Sequence, residues 1–69
     1  MDFNEIAKDS FQKALNDELK KIFLTFSINM TSAQNNQSKI NLAETDLKNG
    51  IQFMNKTYQR AFDLAGLKD

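Results

Sequence analysis

Lys21–Met30, KIFLTFSINM, decides how this chain folds. It holds the densest apolar content of the sequence and has two readings. As a strand it alternates, with Ile22, Leu24, Phe26, Ile28 and Met30 on one side and Phe23, Thr25, Ser27 and Asn29 on the other. As a helix it continues a stripe that begins upstream at Phe11 and Leu15. The strand would be an unprotected edge of high β-propensity with no internal charge. Some twenty residues of helical periodicity precede it, and no second strand is in sight to pair with it. The helix is therefore the reading carried forward, with the strand kept as the alternative. In either form the stretch shows apolar groups in more than one direction, so one neighbour cannot cover it.

Upstream, residues 2–28 read as one amphipathic helix. Asp2 is an N-cap residue with Glu5 three positions on, the spacing of a capping box, and Met1 and Ile6 occupy the positions of a hydrophobic staple. At about 100° per residue, Phe3, Ala7, Phe11, Ala14, Leu15, Leu19, Ile22 and Phe26 fall on one broad face. Asp9, Gln12, Lys13, Asn16 and Lys20 fall opposite. Phe23, Leu24 and Ile28 lie outside the main stripe and form a second apolar face.

Downstream, residues 29–40 change character. The run NMTSAQNNQSK is polar, and reads as a linker without Gly or Pro. Thr31 with Gln34, or Asn41 with Glu44, offers a capping box for a second helix. The reading places that helix at about 41–65. Ile40, Ala43, Leu47, Gly50, Met54, Thr57, Ala61 and Leu64 recur at alternating spacings of three and four, a heptad seam. Ile51, Tyr58 and Ala65 widen it. Leu47, Gly50, Ile51, Met54, Tyr58 and Ala61 are the residues expected to mediate self-association. Asn49-Gly50 is also a turn signal, and Gly50 costs about 1 kcal/mol relative to Ala inside a helix. The unbroken heptad argues that the helix runs through it. Gly66 fits the end of the helix, with Leu67 placed to touch Phe62.

The expected fold is all-α: one domain over residues 1–69, a two-helix antiparallel hairpin. A chain of 69 residues rarely builds a core worth more than about 3–5 kcal/mol, so small folds add disulfides, a metal or a partner copy. There is no Cys and no His, which removes disulfides, thiolate metal sites, a cysteine nucleophile and the usual general base near neutral pH. Oligomerisation is the remaining staple, as a four-helix-bundle dimer or a helical assembly. In a lone hairpin, Phe23, Leu24, Ile28, Phe53 and Phe62 are expected to stay partly exposed.

Charge and motifs narrow the function. Nine basic residues balance nine acidic ones, whereas a phosphate-binding surface leaves a basic excess, so nucleic acid is disfavoured as a partner. The first helix has no basic excess for a membrane surface, and no stretch approaches the ~18 apolar residues of a membrane span. MDFNEIAKDS lacks a basic region followed by an apolar run, which points to a cytoplasmic protein or to export without a cleaved signal peptide. The Glu5/Asp9 and Asp17/Lys21 pairs sit among lysines on polar faces and read as solvated surface rather than as an acid–base or metal site. Asn29-Met-Thr31, Asn36-Gln-Ser38 and Asn55-Lys-Thr57 match the N-glycosylation pattern by chance in an Asn-rich chain. Tyr58 and Arg60 are of types enriched at interface hot spots, but Tyr58 lies beside the seam and is expected to pack there. Phosphate loop, nucleophile elbow, zinc spacing and EF-hand loop are all absent.

These features lead to a protein that is not an enzyme, takes no cofactor or metal, and works through helix contacts with itself and with a protein partner, as an adaptor, small chaperone or regulator. The alternative is a subunit of a helical filament. In size, lack of Cys and two-helix layout the chain resembles the needle and rod subunits of bacterial type III secretion. The resemblance is one of layout, carried by no shared motif, and the polar run lacks the proline-bearing turn of needle subunits. It implies leaderless export and open-ended polymers, with Phe23, Leu24 and Ile28 packed against neighbouring subunits.

Overall fold

Asp2 opens the first helix: its carboxylate accepts the Glu5 backbone N–H at 2.9 Å, satisfying one of the donors that a helix N-terminus leaves free. The structure, a computed structural model, describes residues 2–67. Helix α1 spans Phe3–Ala33 and helix α2 spans Gln37–Ala65. They pack on each other as an antiparallel hairpin. KIFLTFSINM is helical throughout. Met1 lies outside the described residues, so the expected staple with Ile6 does so too.

The polar linker is much shorter than the sequence suggests. Residues 29–33 extend α1, residues 37–40 open α2, and only Gln34, Asn35 and Asn36 connect them. Ser, Thr and Asn cost a helix only a few tenths of a kcal/mol each, roughly, so packing decides. Here packing favours helix, because Ala33 and Ala43 are each 3% exposed where the two helices meet. Thr31 does not cap a second helix. It sits inside α1, its hydroxyl donating to the Ser27 carbonyl one turn back at 2.9 Å. Asn41 likewise lies inside α2 and accepts from the Gln37 amide at 2.8 Å. The cap of α2 is Asn36, whose side chain accepts the Lys39 N–H at 3.1 Å.

The reversal itself is tight. Asn36 N–H donates to the Ala33 carbonyl at 2.8 Å, closing a four-residue turn. Gln34 stands in it with φ 50° and ψ −116°, the first central position of a type II′ turn. At the other end, Gly66 adopts a left-handed conformation (φ 71°). Leu67 N–H donates to the Phe62 carbonyl at 2.9 Å and Gly66 N–H to Asp63 at 3.1 Å, the paired bonds of a Schellman ending. That ending turns Leu67 back into the interface, where it is buried with Ala7 and Phe62.

The core is a thin seam. Near the chain ends, Phe11 and Tyr58 pack against the Ala7–Phe62–Leu67 cluster. The Phe62 ring lies 5.9 Å from Phe11 and 4.5 Å from Tyr58, tilted against both. Midway, Gly50 faces Ile22: a Cβ at Gly50 would stand 3.5 Å from the Ile22 side chain. Gly50 does not break α2. At the turn, the small side chains of Ala33 and Ala43 close the seam.

Two expectations for α2 are corrected. Phe62 is buried, and Thr57 and Leu64 are exposed although the heptad placed them on the seam. A straight helix drifts ~20° per heptad against a 3.5-residue repeat. Beyond Met54 the seam therefore passes to Tyr58 and Phe62, and Leu64 rotates out to solvent.

Candidate interaction surfaces

A hairpin of two helices has no third element to cover its outer sides, and the dimensions of this one show the consequence. It measures 51 × 17 × 13 Å, with a Cα radius of gyration of 15.6 Å where a compact chain of this length would have about 11 Å. Its accessible surface is 5541 Å², against about 4,400 Å² for a compact monomer of 7.9 kDa. Among the described residues five are buried, three of them alanines, and no large side chain is fully enclosed.

The expected self-association residues divide within the single chain. Leu47, Gly50, Met54, Tyr58 and Ala61 are half-buried on the side of α2 that faces α1. Leu47 borders a recess with Ile22, Thr25 and Phe26, and Tyr58 borders another with Leu15. Ile51 is more exposed, at the rim of a shallow recess with Phe26 and Lys48. Tyr58 and Arg60 diverge: Tyr58 stacks on Phe62, while Arg60 is exposed and borders a recess with Leu64 and Lys56.

The second apolar face is open. Phe23, Leu24 and Ile28 are each 59–65% exposed. Leu24 and Ile28 stand one turn apart and form one apolar strip on α1. Phe3 and Ile6 repeat the pattern near the start of the helix.

A third surface escaped the reading of the sequence. Leu42, Phe53 and Leu64 are 62–72% exposed and follow one another at intervals of eleven residues along α2. Eleven residues make about three turns, so the three side chains form one line. The line was hidden because the heptad claimed Leu64 and left Leu42 and Phe53 as single off-register residues. A search for an eleven-residue period would have found it. Between its apolar members stand Asp46 and Arg60.

No protein-family model, curated protein or solved structure matches this chain.

Electrostatics at these surfaces is mild. Lys13 pairs with Asp9 at 3.1 Å and Lys21 with Glu18 at 3.3 Å, both within α1 and well exposed. Lys21 thus takes Glu18 rather than Asp17 as its partner. Such pairs contribute a few tenths of a kcal/mol, roughly. Asp46 and Arg60 take part in neither ion pair found among the described residues. Within the described residues no helix is long and apolar enough to cross a membrane. The surfaces offer apolar contact along the length of a rod, with little enclosed space beside it.

Proposed function

We propose that this chain is a non-catalytic interaction module, a helical hairpin that self-associates and presents an apolar helix face to a protein partner. One observation carries the reading: among the described residues, nine large apolar side chains stand exposed on a two-helix rod. Scattered single apolar residues are ordinary on a surface. Here they fall in strips on both helices, which is the pattern of surfaces made to be covered. The strip formed by Leu24 and Ile28, with Phe23 about 100° round α1 from Leu24, is the surface assigned to the protein partner. Adaptor, small chaperone and regulator all fit this description.

A second reading is favoured by the presence of apolar strips on two different helices. A filament subunit needs two unlike patches that meet head to tail, because a heterologous contact that does not close propagates. Under that reading the chain is a structural subunit of a helical filament.

Light scattering coupled to size exclusion, over a hundredfold range of concentration, separates the two. The module is expected to show a constant mass of two or four chains. Mass that climbs with concentration and never levels off favours the filament. A monomer at every concentration sinks both.

A further inference from the structure

We infer that the line Leu42–Phe53–Leu64 is the surface through which two copies of this chain pair, their α2 helices antiparallel about a twofold axis at Phe53. The inference rests on the self-association reading above and supplies its contact surface. The argument is the symmetry of the sequence along the line. Phe53 stands midway between Leu42 and Leu64, eleven residues from each. An antiparallel partner centred there sets Phe53 against the partner's Phe53 and each Leu42 against the partner's Leu64.

The polar residues between obey the same symmetry. Asp46 lies seven residues before Phe53 and Arg60 seven after it. Asn49 lies four before and Thr57 four after. At about 100° per residue, all seven positions fall within an arc of about 80° on α2. Pairing two such faces brings each Asp46 to the partner's Arg60 and each Asn49 to the partner's Thr57. A parallel arrangement instead sets Asp46 against Asp46 and Arg60 against Arg60, which repel. Asp46 and Leu42 border one recess of the hairpin, and Arg60 and Leu64 border another, so each charge already flanks its apolar neighbour. Neither charge is occupied by an ion pair among the described residues. An interface residue set that is self-complementary in both apolar and charged positions is what a twofold contact requires.

The line is also free to pair without undoing the hairpin. Its members are exposed on a flank of α2; only its Leu42–Asp46 end reaches the groove with α1, where both border a recess with Asn29, Ser32 and Ala33, and Asp46 borders a second with Lys21 and Leu47. The face with Phe23, Leu24 and Ile28 is on the other helix and stays available.

Two variants of the full chain test this. The chain has no Cys, so an introduced thiol is the only one present. Phe53→Cys is expected to form a disulfide-linked dimer readily under mild oxidation. Leu42→Cys is expected not to, because two Leu42 positions lie ~33 Å apart in this arrangement. Charge exchange gives the second readout. Asp46→Arg alone, and Arg60→Asp alone, should each weaken the dimer roughly tenfold, and the double exchange should restore it. Circular dichroism of each variant at low concentration checks that the hairpin is intact.

The outcomes separate. If the wild-type mass is a constant oligomer but the two thiols cross-link alike, or charge exchange changes nothing, the line is not the interface while the self-association reading stands. If the wild-type chain is monomeric throughout, both fall. Unlimited growth of mass also overturns the proposal, since a twofold contact is closed.

Discussion

Gly50 is the residue at which the seam is under-filled. It lies in the interior of α2, where glycine costs about 1 kcal/mol relative to alanine. An added Cβ would meet Ile22 at 3.5 Å, an ordinary van der Waals distance. Gly50→Ala should therefore stabilise the hairpin by about 0.5–1 kcal/mol, read from chemical denaturation. Gly66→Ala should do the opposite, because φ 71° suits glycine and strains any L side chain, at a cost of about 1–2 kcal/mol. Gln34 is the mirror of this case. Its φ of 50° belongs to a turn position that favours glycine. Strain of about 1–3 kcal/mol outweighs the extra unfolded-state freedom of glycine, about 0.4–1 kcal/mol, so Gln34→Gly should raise the melting temperature.

At the scale of the helix, the seam of α2 changes register. Its first half follows the heptad through Ala43, Leu47, Gly50 and Met54, and its second half shifts to Tyr58 and Phe62. Substitutions at Phe62 and Leu64, two residues and about 200° apart on α2, should therefore behave differently. Phe62 is buried and touches Phe11 and Tyr58, so Phe62→Ala should cost the monomer about 3 kcal/mol or more. Leu64 is exposed, and Leu64→Ala should cost the monomer no more than about 0.5 kcal/mol. Urea unfolding at a concentration low enough to keep the chain monomeric compares the two. Equal losses would mean that α2 is rotated from the orientation described.

For the whole molecule, the decisive feature is a surface about 1,100 Å² larger than a compact chain of this mass would have. A partner copy that binds only the folded chain stabilises it by mass action. The melting temperature should accordingly rise with protein concentration, and scanning calorimetry over a hundredfold range would read the slope. A melting temperature independent of concentration counts against self-association. The face on α1 should behave otherwise. Replacing both Leu24 and Ile28 by Lys should leave the mass of the assembly unchanged if α2 carries the self-contact. A loss of the assembly would transfer the contact to α1.

Local signals in the chain are enough to establish that it is helical, where each outer end lies, and that two helices leave apolar surface uncovered. Asp2 and Gly66 mark those ends through local chemistry: a carboxylate that caps free N–H groups, and a residue without Cβ at a left-handed turn. Local signals of that kind are legible because their partners lie within a few residues. The reach of α1 to Ala33, and the three-residue reversal, were settled by tertiary contact. Polar residues of middling propensity go wherever packing directs them, and the closeness of Ala33 to α2 directed 29–33 into helix. The choice of Phe62 over Leu64 was also tertiary. Two facing helices drift out of a strict heptad, and only their mutual placement fixes which of two apolar residues turns inward.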